Sequence, residues 1–238
     1  MNFTNFFLPE IKSFIEKEKI FFSKIDDLKE VPDQFYEKRR KGENDGFLYQ
    51  IIQNDSIEEF ITFVKKEKYP LKSLVERSTF ETNIFLLKKA KISLIEYAAF
   101  YGSVQIFKYL YLNGVEMTPK LWICAIHGYD EEIIHILEEN NIKFSYENCI
   151  IESIKCHHND ITNYIQNNLL CDQENIQNFL LNSKYVFKYF NYLNFPKEID
   201  NNLSLFYACE YDYYTIVQSL LSNNEIDINW FKETKKVF

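Results

Sequence analysis

The residues best suited to chemistry in this chain are a loose group of thiols and imidazoles: Cys124-x-x-His127, Cys149 and Cys156-His157-His158. Thiolates and imidazoles are the donors of tetrahedral zinc, and neighbouring parts of a fold can bring four of them together. The spacing argues against a closed set. Strong zinc patterns repeat C-x-x-C or H-x-x-x-H. Here Cys124 immediately precedes an alanine that reads as core, and Cys149 falls near the start of a later helix. The same residues allow Cys156 as a nucleophile with His157 or His158 as its base. Sequence neighbours on a helix rarely face one another, and no third group to orient the imidazole is evident. A turn carrying exposed imidazoles is the simpler expectation.

Other catalytic patterns are missing. No G-x-x-x-x-G-K or G-x-G-x-x-G occurs, and the pair Gly42 and Gly46 lacks the Lys-Ser/Thr that would follow in a phosphate loop. His135 follows Glu131-Glu132 but has no second helical histidine for a zincin motif. Carboxylate pairs (Asp26-Asp27, Glu58-Glu59, Glu131-Glu132, Glu138-Glu139) read as solvated helix faces, because acid–base catalysis needs a shared cleft. The expectation is no catalytic residue, no metal and no cofactor. An enzyme or zinc-dependent accessory protein built on the 124–158 group is the alternative.

These residues must be positioned by a chain of 238 residues, 46% hydrophobic and 26% charged, enough for one medium or two small globular units. Five Gly and five Pro exclude collagen-like and Pro/Gly-rich disordered chains. A formal charge of −8 runs against a surface built on phosphate contacts, so no nucleic-acid partner is expected. The basic run Lys38-Arg39-Arg40-Lys41 sits between Glu37 and Glu43 and reads as a solvated helix end or loop. No basic n-region follows Met1, and no run of 18 apolar residues occurs, so neither export nor membrane insertion is expected. Five cysteines, an odd number at irregular positions, fit reduced thiols. The expected location is the cytoplasm, with the nucleus also open. Abundant Lys, Asn and Ile against only five Ala indicate background bias, so the rare residue types are the informative ones.

The rare alanines locate a repeat. Ala98, Ala125, Ser153, Leu181 and Ala208 form a column spaced by 27, 28, 28 and 27 residues. Eight positions later stand Ile106, Ile133, Ile161, Tyr189 and Ile216. Nine positions later come Phe107, Ile134, Thr162, Phe190 and Val217, and twelve later Leu110, Leu137, Ile165, Leu193 and Leu220. Offsets of 8, 9 and 12 share one face of a helix. Turn-formers lie between column and face (Gly102, Gly128-Tyr-Asp130, His158-Asn-Asp160, Asp212), and Asn-rich breaks follow it (Asn113-Gly114, Asn140-Asn141, Asn167-Asn168, Asn194, Asn223-Asn224). The unit is helix, turn, helix, turn. One such pair cannot bury both faces, so the fold class expected is an all-α solenoid of stacked pairs.

The stretch Ser93-Leu-Ile-Glu-Tyr-Ala-Ala99, Gly102-Ser-Val-Gln-Ile-Phe-Lys-Tyr-Leu110, Asn113-Gly114 resembles the ankyrin-repeat pattern T-P-L-H-x-A-A-x-x-G-H-x-x-h-V-x-x-L-L-x-x-G. The last unit, with Leu205-Phe-Tyr-Ala-Cys-Glu, Ile216-Val-Gln-Ser-Leu-Leu221 and Ile226-Asp-Ile-Asn229, is similar. Residues from Phe80-Glu-Thr-Asn83 through Trp122 to His127 further resemble the divergent, lineage-expanded ankyrin-like proteins of parasitic protists. The resemblance covers 93–229 well and 44–64 weakly, through Ile51, Phe60 and Phe63. The period of 27–28 is shorter than the family's roughly 33, which implies short turns in place of β-hairpin fingers. Glu96, Ile123, Ile151 and Phe206 stand where the T-P-L-H histidine would be, so that residue's tie between neighbouring repeats is not carried over.

The expected organisation is an N-terminal helical cap and linker (1–46), with an amphipathic helix over 9–28 and a polar loop over 29–46. A degenerate first repeat with an insertion (47–92) and an array of about five units (93–229) follow. The tail 230–238 either folds back through Trp230, Phe231 and Phe238 or begins a further repeat, and an uncapped end would favour self-association. The resemblance implies a non-catalytic scaffold for a protein partner, bound on an inner face lined by the first helices. Positions one before the column and two or three after it are expected to face solvent: Tyr97, Phe100, Tyr101, Cys124, His127, Gly128, Glu152, Lys155, Cys156, Tyr207, Glu210 and Tyr211. The contact candidates among them are Tyr97, Tyr101, His127, Lys155, Tyr207 and Tyr211, with the tyrosines as anchors that offer area at low entropy cost.

Overall fold

Where apolar residues recur at helical spacing, helices form, and the polar breaks between them become turns. A computed structural model describes residues 6–18, 34–89, 91–169, 183–191, 193, 201–222 and 226. The fold among these residues is all-α, with no β-strand and one isolated antiparallel bridge between Leu74 and Ser93. By its contacts the chain divides into two compact units, Met1–Cys124 and Ala125–Phe238. No described helix is long and apolar enough to cross a membrane.

The first unit holds α1 (Leu8–Glu18), α2 (Phe35–Lys41), α3 (Phe47–Gln53), α4 (Ile57–Glu67), α5 (Ile84–Lys88), α6 (Leu94–Phe100) and α7 (Val104–Leu112). Helix α8 (Lys120–Gly128) spans the boundary. The second unit holds α9 (Glu131–Glu139), α10 (Tyr146–Lys155), α11 (Asn159–Asn168), α12 (Asn201–Glu210) and α13 (Tyr214–Leu221), with a helical stretch over 183–188. Helix α3 packs on α4 and α6 on α7; α3 also packs on α6, and α4 on α7. In the first unit, therefore, two pairs lie side by side, first helix on first helix and second on second. In the second unit α10 packs on α11, and α12 on α13.

Five first helices end in the same way. Asp55, Gly102, His157, Phe190 and Asp212 adopt positive φ of 49°, 65°, 59°, 53° and 58°. The next residue's N–H returns to the carbonyl five positions back (Ser56 to Ile51, Ser103 to Ala98, His158 to Ser153, Asn191 to Val186, Tyr213 to Ala208) at 2.8–3.1 Å. This is the Schellman end, in which a left-handed residue lets the chain reverse while satisfying a helix's last carbonyls. Four of the five residues carry a Cβ and bear the cost of that conformation. Second helices end similarly at Gly114 (φ 80°) and Asn141 (φ 52°).

This recurring turn corrects one register. The column residues Ala98, Ala125, Ser153 and Ala208 are fully buried, as are Ile106, Phe107, Leu110, Ile133 and Leu137 on the facing helices. Val186, not Leu181, stands four residues before the fourth turn, just as Ala98 stands before Gly102. The intervals around it are 33 and 22 residues and total the same 55 as the 28 and 27 expected. Equal spacing over that total disguised a shift of five. Consequently Val186 is 1% exposed, while Phe190 is 45% exposed and Leu193 is also on the surface. Leu181 itself lies outside the described residues.

The expected loop 29–46 contains α2, whose run Lys38–Lys41 forms the helix's last turn. Lys38 pairs with Asp45 at 3.0 Å and Arg39 with Glu10 at 2.7 Å. Residues 65–92 hold α5 and are tied to the first pair. Asn44 Nδ2 donates to the Glu76 carbonyl at 2.7 Å, and the Glu76 N–H donates to the Tyr49 hydroxyl at 2.7 Å. The second half of the expected 9–28 helix and the tail 230–238 lie outside the described residues.

Neighbouring pairs are joined by a repeating hydrogen bond at the turns. The side chain just after the left-handed residue reaches back to a first-helix carbonyl of the preceding pair. Ser103 Oγ donates to Ile52, His158 Nδ1 to Ile126 at 2.6 Å, Asn191 Nδ2 to Ile154 at 3.0 Å, and Tyr213 Oη to Phe187 at 2.7 Å. Each acceptor lies one residue after the column. Because these side chains face backward, Ser103, His158 and Tyr213 do not cap their own second helices. At α7 the cap comes from the preceding pair instead: the Asp55 carboxylate accepts from the N–H groups of Gln105 and Ile106, both at 3.0 Å.

Candidate functional site

The shared column gives every first helix one register, and that register decides which side chains meet. The position one before the column faces the position two after the column of the preceding pair. Gln53 Nε2 donates to the Tyr97 hydroxyl at 2.8 Å. In the second unit His127 Nε2 lies 2.7 Å from Glu152 Oε1.

The contact candidates separate accordingly. Tyr97 and Tyr207 are 1% and 5% exposed, and Cys124 is buried as well, which corrects the expectation that this position faces solvent. It faces the preceding first helix, so an amphipathic pattern on one helix does not identify its outer edge. Tyr97 packs its ring against Tyr49 at 5.7 Å and Tyr101 at 4.8 Å, and burial pushes its phenol far above the usual range. Phe100 is buried too, stacked on Phe85 at 5.5 Å. Tyr101 is half-buried, its phenol pushed up to about 12 by burial. Tyr211 is half-buried against the cluster of Phe187, Leu203, Tyr207 and Ala208, and burial followed by the Glu210 charge pushes it up to about 12. Lys155 and Glu210 remain exposed.

Two of the candidates, His127 and Lys155, come together through a residue that was expected to face solvent. Glu152 accepts from both on the same Oε1, from His127 at 2.7 Å and Lys155 at 2.6 Å. Four residues on, across the same face of α10, Cys156 Sγ lies 3.5 Å from His127 Nδ1. Among the described residues His127, Glu152 and Cys156 form a group of metal-type donors whose ligand atoms all lie within 4.8 Å of one another. The His127 and Glu152 side chains are only 13% and 14% exposed. Ser145 caps α10, accepting from the Asn148 N–H, and so helps fix the helix that carries Glu152 and Cys156.

The electrostatics of the group follow from its shelter. Burial opposes ionisation of Glu152, but the His127 and Lys155 hydrogen bonds outweigh it and hold the carboxyl below its ordinary range. Burial, then the Glu152 charge, pushes the Cys156 thiol up to about 11, with Lys155 acting in the opposite direction. Cys156 also stands at the C-terminal end of α10, where the helix dipole disfavours a thiolate. Thiol, imidazole and carboxylate are thus aligned as a nucleophile, base and orienting group would be, but the surrounding field keeps the thiol protonated. An activated cysteine needs the opposite.

The four-donor zinc set against which the spacing argued is not seen among the described residues. Cys124 accepts from Lys89 Nζ at 3.2 Å, and Cys149 is buried with its thiol pushed up to about 12. His157 is the exposed turn residue expected, donating from Nε2 to the Tyr189 carbonyl at 3.1 Å. His158 is half-buried in the inter-pair ladder; burial lowers its pKa despite the Ile126 hydrogen bond. In the first unit, a small cleft of about 40 Å³ lined by Asn44, Arg77, Glu81, Lys89 and Tyr97 holds a second unusual carboxylate. Glu81 Oε2 has no hydrogen-bond partner among the described residues, and burial raises its pKa.

No protein-family model matches the chain, and no curated protein matches it.

Proposed function

We infer that this chain is a solenoid of short-period, ankyrin-like helix pairs and serves as a scaffold that holds a protein partner without acting on it chemically. The observation that carries this reading is the set of side chain-to-carbonyl bonds from Ser103 in the first unit and from His158, Asn191 and Tyr213 in the second, each reaching the same position of the preceding pair. A ladder of that kind fixes adjacent units in one register while leaving the outer edge of the first helices free to vary. Glu96, at the position of the family's T-P-L-H histidine, forms a capping box with Ser93 instead, and the ladder supplies the tie between repeats.

On this reading the binding edge of the second unit runs through Lys155, Glu210 and the half-buried Tyr211, and the half-buried Tyr101 holds the equivalent position in the first. Charged groups at such an edge set specificity and encounter rate, and the aromatic rings supply area. The test compares the immobilised chain with Lys155→Ala/Glu210→Ala, which leaves both net charge and core unchanged, after matching circular dichroism and melting. A protein held by the native chain and lost by the variant supports the scaffold and places its contact. Equal retention moves the contact away from that edge. If neither chain retains any protein specifically, the scaffold reading fails.

A further inference from the structure

We propose that His127, Glu152 and Cys156 bind a divalent transition metal of the zinc type, bridging α8 and α10, with solvent at the remaining position. One imidazole nitrogen, one carboxylate oxygen and one sulfur are each established zinc donors, and nitrogen and sulfur together exclude the hard cations magnesium and calcium. The distances are near what such an ion requires. Around tetrahedral zinc, bond lengths of 2.0–2.3 Å place N and O donors about 3.3 Å apart and N and S about 3.6 Å apart. His127 Nε2 stands 2.7 Å from Glu152 Oε1 and 4.0 Å from Cys156 Sγ. Shifts of about half an ångström, within reach of side-chain rotation, bring these two distances to the tetrahedral values, and the Glu152 and Cys156 ligand atoms lie within 4.8 Å of each other.

Charge balance supports the same assignment. A thiolate and a carboxylate neutralise a divalent ion, and the thiol proton leaves on binding: Cys156–SH and M²⁺ give Cys156–S–M⁺ and a released H⁺. The competing cation is Lys155, whose Nζ holds Glu152 Oε1; its side chain is 40% exposed and can turn to water. Sequence spacing did not reveal this set because Glu152 was read as an outward residue, and His127 meets it only across two helix pairs. Since the donors come from successive first helices, the ion would join neighbouring repeats and stabilise the stacked form over the unfolded chain.

The experiment titrates cobalt(II), then zinc, into the full chain purified metal-free under a phosphine reductant. Expected are a near-ultraviolet sulfur-to-cobalt charge-transfer band saturating at one equivalent, its displacement by zinc, and a zinc-dependent rise in melting temperature. Cys156→Ser should abolish the band, and His127→Ala and Glu152→Gln should each weaken zinc binding by at least about tenfold. Lys155→Ala should bind as tightly or more tightly, and Cys209→Ser should leave the band intact. Cys156→Ser is nearly isosteric, so its apo melting curve checks folding separately. No charge-transfer band at saturating cobalt, or a band and melting shift that survive Cys156→Ser, would overturn the assignment.

Discussion

Phe190→Gly and Val186→Ala should have effects opposite to those their sizes suggest. The structure places Phe190 at the left-handed turn with φ 53° and 45% exposure, and Val186 in the buried column at 1%. Removing the Phe190 ring forfeits about 1 kcal/mol of partial burial and about 0.5–1 kcal/mol from its edge contact with Tyr213 at 4.8 Å. Glycine returns about 1 kcal/mol by relieving the Cβ strain of the left-handed conformation. The net loss is therefore about 1 kcal/mol or less. Val186→Ala deletes two fully buried methyl groups, worth about 1.6 kcal/mol in transfer, and leaves a cavity, for a total of about 2–3 kcal/mol. Urea unfolding followed by far-ultraviolet circular dichroism measures both as midpoint shifts at constant slope. Had the column fallen on Leu181, Phe190 would lie in the core as a fully buried aromatic worth about 3–5 kcal/mol. A Phe190→Gly loss of that size, with Val186→Ala near neutral, would refute the five-residue shift.

Ser103→Ala should cost about 1 kcal/mol in the same assay, one buried hydrogen bond, because the Ile52 carbonyl keeps the Asp55 N–H at 3.0 Å. Asp55→Ala should cost about 1–2 kcal/mol, since it removes the cap on two α7 N–H groups and puts alanine at φ 49°. Glu152 has its folded pKa depressed, so its contribution is present above the ordinary value of 4.5 and lost as pH falls below it. Native chain and Glu152→Gln should accordingly differ in melting temperature at pH 6 and converge in acid. His158, whose folded pKa lies below 6.5, takes up protons near that value only when unfolded. Stability should therefore begin to fall as pH drops through 6.5, and His158→Asn should remove that part of the decline in acid-scanned melting curves.

Much of this fold is written locally. A helix's apolar face, its cap and its Schellman end depend on residues within one or two turns of each other. Ser93 with Glu96, Gly102, Asn113-Gly114 and Asn140-Asn141 could therefore be read directly, and the column through Ala98, Ala125 and Ser153 emerged from spacing alone. The all-α class followed from the same period. Periodicity failed at Val186, because two unequal intervals with an unchanged sum look regular when only their ends are marked by alanine.

The candidate site belongs to a different level of organisation. His127 and Cys156 lie 29 residues apart, and Glu152 stands between them, so no local rule relates them. They converge because Ala125 and Ser153 bring two first helices close enough for the position before one column to meet the position after another. The same contact buries Tyr97 and Tyr207, which a single helix read alone would leave facing water. Hydrophobic pattern tells a helix which side to bury. Which neighbour covers its flank, and hence which polar groups share a sheltered field, depends on helix-to-helix packing that local sequence does not encode.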